Sequence, residues 1–183
     1  MASNATILKA VLHIADVDRQ YYEDHVLTLA RHPSETDERV MVRLLAFALH
    51  ADGALSFGRG VAAEDEAALW KRDLTGRLEQ WIEVGLPGER IIRQACGRAE
   101  RVSVYAYGGR PADQWWKDQR AELERFDNLT VMNVPWTASR DLTQFVQRSM
   151  DLHCTIQEGQ ILIGDGAHAL QLELVTWKER TTP

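Results

Sequence analysis

Two strand-like runs mixing apolar and polar residues open the chain, Ala5 to Ala15 and Tyr21 to Ala30, separated by the turn-forming Asp16-Val17-Asp18-Arg19. This pattern predicts a β-hairpin. In the second run Val26, Thr28 and Ala30 alternate with Leu27 and Leu29, so apolar character on both sides predicts a strand covered on both faces. Ser34-Glu35-Thr36-Asp37-Glu38 then offers a capping hydroxyl followed by acids that favour the positive end of a helix. The helix is expected to reach about His50, with Val40, Met41, Leu44, Leu45, Phe47 and Ala48 as a wide apolar stripe ended by Asp52-Gly53.

A short strand from Ala54 to Phe57, a Gly- and acid-rich loop, a strand from Leu69 to Asp73, the turn Leu74-Thr75-Gly76 and a strand from Leu78 to Val84 form a second antiparallel unit. Pro87-Gly88-Glu89-Arg90 introduces a short helix through Cys96, and Val102 to Tyr107 reads as the next strand. Strand, helix, strand in that order implies a parallel crossover. A helix from Pro111 to Phe126, an apolar run from Leu129 to Val134 and a helix from Ala138 to Met150 repeat the theme. The tail carries short strands at Cys154 to Ile156, Gln160 to Ile163 and Ala169 to Val175, expected as an antiparallel appendage to the main sheet. The fold class is therefore α/β (α+β), a mixed β-sheet flanked by helices, with residues 1–183 read as one domain.

The 183 residues carry 21 basic and 27 acidic side chains, a formal charge of −6, so no global field draws the protein to phosphate backbones or anionic membranes. Contact with nucleic acid then rests on a local patch, and Arg90, Arg93, Arg98 and Arg101 supply one. No stretch approaches the ~18 uninterrupted apolar residues of a membrane span, and the first residues have no basic leader, so the expected location is cytoplasmic. Cys96 and Cys154 are far apart without metal spacing and are expected to be reduced thiols.

Along Leu78 to Val84, alternation places Leu78, Gln80, Ile82 and Val84 on one side and Glu79, Trp81 and Glu83 on the other. Lys71 and Asp73 share a face of the preceding strand. Clustered carboxylates suit a hard cation such as Mg²⁺, whose charge cancels their repulsion, although surface strands commonly carry such acids without one. A tight turn near Thr75 and Gly76 would set Asp73 opposite residue 78 or 79, leaving Glu83 about four residues, ~13 Å, further along; either Glu79 is then the partner of Asp73, or the strands are staggered rather than tightly paired. Glu35, Glu38 and Arg39 lie along one stripe of the expected helix, where a cap and a Glu35 to Arg39 ion pair are the plainer reading. Trp115, Trp116 and Trp81 offer aromatic faces, better explained as packing than as base stacking, and His32 is a lone histidine more often structural than catalytic.

Leu29-Ala-Arg-His-Pro-Ser-Glu-Thr-Asp-Glu-Arg39, Asp73-Leu-Thr-Gly76, Trp81-Ile-Glu-Val-Gly85, Ala95-Cys-Gly-Arg-Ala99 and Tyr105-Ala-Tyr-Gly-Gly109 resemble the YaeQ family of small bacterial proteins across nearly the whole chain. The resemblance implies a compact variant of the PD-(D/E)XK nuclease-like fold, whose usual chemistry is Mg²⁺-dependent phosphodiester hydrolysis. It implies Glu38 as the helix acid, with Glu35 the alternative, Asp73 as the strand acid and Glu83 as the first member of the acidic-x-Lys triplet. Here that triplet reads Glu83-Val84-Gly85, with glycine where lysine belongs, and Arg72 stands where proline would precede Asp73. Lys71, Arg93 and Arg98 are the candidate replacement cations and phosphate contacts, Arg98 the favoured one for neutralising the transition state. The alternative is a nuclease fold that has lost catalysis and serves as a binding or regulatory module.

Overall fold

A computed structural model of the chain describes residues 4–59 and 65–181. Part of the Gly- and acid-rich loop expected after Phe57, over 60–64, lies outside the described residues, as do 1–3 and 182–183.

Among the described residues eleven strands form two mixed sheets. The first five-stranded sheet begins with the expected hairpin of β1 (Thr6–Asp16) and β2 (Tyr21–Arg31), paired residue for residue from Thr6 with Arg31 to Asp16 with Tyr21. The second sheet contains β3 (Leu55–Phe57), β4 (Leu69–Arg72) and β5 (Leu78–Val84) in antiparallel order. It continues through β6 (Arg101–Ala106) and β7 (Leu129–Asn133), both parallel to β5. The crossovers are α2 (Glu89–Arg98) and α3 (Arg110–Leu123), as strand-helix-strand order requires. Between the sheets lies α1 (Asp37–His50), whose residues from Val40 to Ala48 are all buried. A helix buried over this whole stretch belongs inside, with Arg43 its one buried charge, and it shares a core with Leu12 and Leu152 of one sheet and Leu69 and Ile82 of the other. On the far face of the second sheet, α2 and α3 cover Trp81, Val102, Val104 and Val131.

Four expectations are corrected. The helix cap is Thr36, whose hydroxyl accepts from the Arg39 N–H at 3.2 Å; Ser34 instead pairs with His32 at 2.6 Å. The strand β2 is an edge strand with one open face: Val26 is 82% exposed while Leu29 is buried. The helix expected from Ala138 to Met150 ends early, as α4 (Trp136–Asp141) and a 3₁₀ turn (Leu142–Phe145). From Ser149 the chain is strand β8 (Ser149–Gln157), because Met150, Leu152, Cys154 and Ile156 recur every second residue and all four are buried. Lastly, β8, β9 (Gln160–Gly164) and β10 (Ala169–Glu173) do not extend the sheet of the crossovers. They extend β1, which β8 pairs in parallel from Lys9 with Ser149 to Asp16 with Ile156. Only β11 (Val175–Lys178) returns to β7.

Candidate functional site

The β4–β5 connection decides where the strand acids go. Asp73 N–H bonds the Arg77 carbonyl, Arg72 faces Leu78, and the ladder slips between Lys71 and Arg72. The loop is therefore Leu74-Thr75-Gly76, with Gly76 at φ +86, a conformation that strains any residue with a Cβ. Asp73 works inside this turn. Its Oδ1 accepts from the Thr75 hydroxyl (2.6 Å), the Thr75 N–H (2.8 Å) and the Arg77 N–H (3.0 Å), and the Thr75 bond foremost holds the carboxyl below its usual range. Glu83 lies six residues beyond Arg77 along β5, roughly 20 Å at about 3.3 Å per residue. Neither Glu79 nor Glu83 meets Asp73. Lys71 is engaged as well: its ammonium bonds Asp52 at 2.8 Å and pairs with Glu79 at 3.1 Å, which raises its pKa and lowers that of Asp52.

The acids expected for Mg²⁺ are thus too dispersed to hold an ion as one set. Among the described residues, the group of three or more His, Cys, Asp or Glu side chains with ligand atoms within 4.8 Å of one another is His13, Asp151 and His153, on the other sheet.

Glu83 and the helix acids do share a region, the carboxyl edge of the parallel strands, where open α/β sheets place their ligands. Glu83 lies on the α2 side of β5 beside Trp81, whose indole N–H donates to it at 2.7 Å; burial still pushes its carboxyl up to about 7, against the opposing pull of Trp81 and Arg39. Glu38 accepts from the buried Ser139 hydroxyl at 3.0 Å. Glu35 is fully buried: its Oε1 accepts from Arg39 at 2.7 Å and lies 3.1 Å from the Arg43 Nε, an ion-pair distance without hydrogen-bond alignment. Among the described residues its Oε2 has no hydrogen-bond partner, and neither has the buried Asn133 Oδ1 at the end of β7. Tyr107, half-buried just past β6, faces the same helix end.

The expected cations are dispersed. Arg93 pairs with Glu89 on its own helix, where a single turn separates them. Arg98 stacks over Trp81 at 5.1 Å and donates to the Asp65 carbonyl at 3.4 Å, and among the described residues it makes no ion pair with Glu83. Trp81 is buried, and Trp116 stacks on Trp177 at 5.6 Å, which makes these rings packing elements. His32 closes a local turn with Ser34.

A different basic site opens on the α1 side of the second sheet. Arg19, Arg101 and Arg180 line a cleft of about 330 Å³ whose floor is His50, Gln80 and Tyr105. The Gln80 amide donates to His50 Nδ1 and the Tyr105 hydroxyl lies on Nε2, each at 2.5 Å, an arrangement that suits a neutral imidazole. Burial foremost, then the three arginines, drive the His50 pKa down to about 3. Arg19 is anchored to Asp16 (2.6 Å) and to the Ala48 and Ala51 carbonyls at and just past the end of α1, whereas Arg101 and Arg180 make no ion pair among the described residues.

The family model for YaeQ protein matches residues 1–174. The chain belongs to the YaeQ family. It is 44% identical to the YaeQ protein of Salmonella typhi over 98% of its own length and 99% of the relative's. It is 42% identical to that of Escherichia coli (strain K12) over the same shares. The crystal structure of YaeQ protein from Xanthomonas axonopodis pv. citri superposes with a TM-score of 0.93 at 43% identity, covering 96% of this chain and 99% of that one. That of YaeQ protein from Pseudomonas syringae gives 0.92 at 34% identity, covering 97% and 98%. No helix among the described residues is long and apolar enough to cross a membrane.

Of the cleft in this YaeQ-family chain, sequence reasoning singles out only Arg101, as part of a patch with Arg90, Arg93 and Arg98. Arg19 reads as a turn residue, His50 as a helix end, and Arg180 carries no signal. The one usable clue is a histidine closing an otherwise apolar helix, which locates it against the core without saying what faces it.

Proposed function

We propose that this YaeQ-family chain is a binding module on a nuclease-like fold, taking single-stranded nucleic acid by its phosphates in the cleft of Arg19, Arg101 and Arg180. The observation that carries the reading is the pair of guanidinium groups, Arg101 and Arg180, with no carboxylate partner among the described residues, set over an uncharged imidazole. Guanidinium groups match phosphate bidentately, and a neutral floor leaves their charge undiminished. In a chain of net charge −6 such a locus stands out against its surroundings. A volume of about 330 Å³ suits one nucleotide of a strand rather than a duplex. The separation of Asp73 from Glu83 and the glycine at position 85 support a module without hydrolysis.

Fluorescence anisotropy with labelled DNA and RNA oligonucleotides tests the proposal. Binding by the wild type should weaken in Arg101→Ala and Arg180→Ala, and the log-log salt slope should shrink by about 0.7 for each single-strand phosphate that a variant no longer neutralises. A double variant that binds as tightly, with the same slope, refutes it.

A second reading is Mg²⁺-dependent phosphodiester hydrolysis, with Glu83 and Glu38 or Glu35 holding the ion. It is favoured by the near-neutral titration of Glu83 and the partnerless Oε2 of Glu35. Cleavage of either nucleic acid with Mg²⁺ or Mn²⁺ that disappears in Glu83→Gln would move the conclusion to this reading.

A further inference from the structure

Among the described residues no helix covers the outer face of the five-stranded sheet, and the strand register determines what it displays. His13, on β1, is paired directly with Asp24 of the antiparallel β2 and with His153 of the parallel β8. Asp151 precedes His153 by two residues, so alternation returns it to the same face. All four side chains are partly or fully exposed and stand on three hydrogen-bonded strands, which fixes their spacing through the backbone ladders.

The orientation of His13 is specific. Its Nδ1 is 2.8 Å from Asp24 Oδ1, and its Nε2 is 2.9 Å from Asp151 Oδ1. The His153 ring lies beside it at 4.4 Å between centroids, inclined by 21°. One ligand atom from each of His13, Asp151 and His153 falls within 4.8 Å of the others. With Asp24 accepting the Nδ1 proton, the Nε2 lone pair of a neutral His13 points at a carboxylate oxygen, and two acceptors face each other. A cation resolves that contact. A proton on His13 would also satisfy it, but only a cation shared with the adjacent ring gives His153 a role.

We propose that His13, Asp151 and His153 form a site for a divalent transition metal of the zinc class, with Asp24 orienting His13 from behind. Two imidazole nitrogens and one carboxylate oxygen suit zinc rather than Mg²⁺, which prefers an all-oxygen shell. The pairing of Asp24 with the far ring nitrogen is the carboxylate-histidine-metal relay that fixes the tautomer of a ligating histidine. Three protein ligands leave a fourth tetrahedral position for water or an incoming donor. The site is remote from the arginine cleft and independent of the reading given to it.

The test uses tag-free, chelator-treated full chain titrated with ZnCl₂ by calorimetry, with Co²⁺ absorption as a second readout. One saturable zinc per chain is expected, with a tetrahedral cobalt spectrum. His13→Ala and His153→Ala should each weaken binding by at least ~10-fold, and Asp24→Asn by about 10- to 100-fold through loss of the orienting bond. His32→Gln, at a histidine that only closes a turn, should bind as the wild type does. The isosteric Asp151→Asn should weaken binding likewise, and it stands in for an alanine variant that fails to fold. The proposal is overturned if the wild type shows no saturable zinc binding, or if the His13, His153 and Asp151 variants bind zinc as tightly as the wild type.

Discussion

Replacing Glu83 with Gln removes a titratable group while keeping its shape, and the stabilities of the two proteins should then separate as the pH rises. Burial lifts the Glu83 carboxyl from an ordinary 4.5 to about 7, because an ionised carboxylate beside Trp81 loses water that one indole N–H does not replace. The folded protein therefore binds a proton that the unfolded chain has already released. The stabilisation from that proton is full below pH 4.5 and lost as pH climbs through about 7. At about 1.4 kcal/mol per tenfold in proton affinity, the loss amounts to roughly 3 kcal/mol. Glutamine never ionises and escapes it. Urea unfolding of both proteins at fixed pH values between about 4.5 and 8.5 should show nearly level stabilities at the acid end. At the basic end Glu83→Gln should be more stable by up to about 3 kcal/mol, with unchanged m values. A difference that stays constant with pH would refute the reasoning, since any purely steric or hydrogen-bonding effect of the substitution is independent of pH.

Glu35→Ala should destabilise by about 3–5 kcal/mol in chemical unfolding, because it strands the fully buried Arg43, and Glu35→Leu with Arg43→Met should recover most of it; an additive double variant would contradict the pairing. His50 should keep the nitrogen chemical shifts of a neutral imidazole down to about pH 5, given its pKa of about 3, and an imidazolium signature above that pH would contradict its burial. Asp73→Ala should lower the Tm by removing the acceptor for two turn N–H groups, yet leave any Mg²⁺ or Mn²⁺ response unchanged; disappearance of that response would return Asp73 to the metal site.

What sequence reasoning captures is local. The first hairpin, α1, the crossovers through α2 and α3, and the strands β4 and β5 all announce themselves by period and by turn residues within a dozen positions. The error at Ala138 to Met150 has a local cause and a distant remedy. Residues 136–145 are indeed helical, but Met150 onward is fixed by pairing with β1, at the other end of the chain, and no window on the sequence contains both strands. The same non-local pairing builds the five-stranded sheet as a separate layer and leaves β2 at its edge. At the candidate site, alternation keeps Trp81 with Glu83, but a bulge at Glu79 breaks it: Leu78 joins the Trp81 cluster, and Glu79 pairs with Lys71, which faces Gln80 across the strands. A loop of three residues sets Asp73 against Arg77, six residues short of Glu83, and a slip between Lys71 and Arg72 then shifts the rest of the ladder.

The strand β5 then serves two sides of one sheet. Trp81 and Glu83 point to the α2 side, where burial governs Glu83; Gln80 points to the α1 side, where it bonds His50 on the floor of the arginine cleft. Opposite faces of a strand share a backbone but not a solvent environment. Arg101 and Arg180 therefore report on binding and Glu83 on ionisation. If Glu83→Gln alters only pH-dependent stability while Arg101→Ala alters only oligonucleotide affinity, the cleft functions without the acid. If Glu83→Gln also abolishes metal-dependent cleavage, the acid contributes chemistry from the far side of the strand, and the Glu83→Gln variant should still bind oligonucleotide as the wild type does.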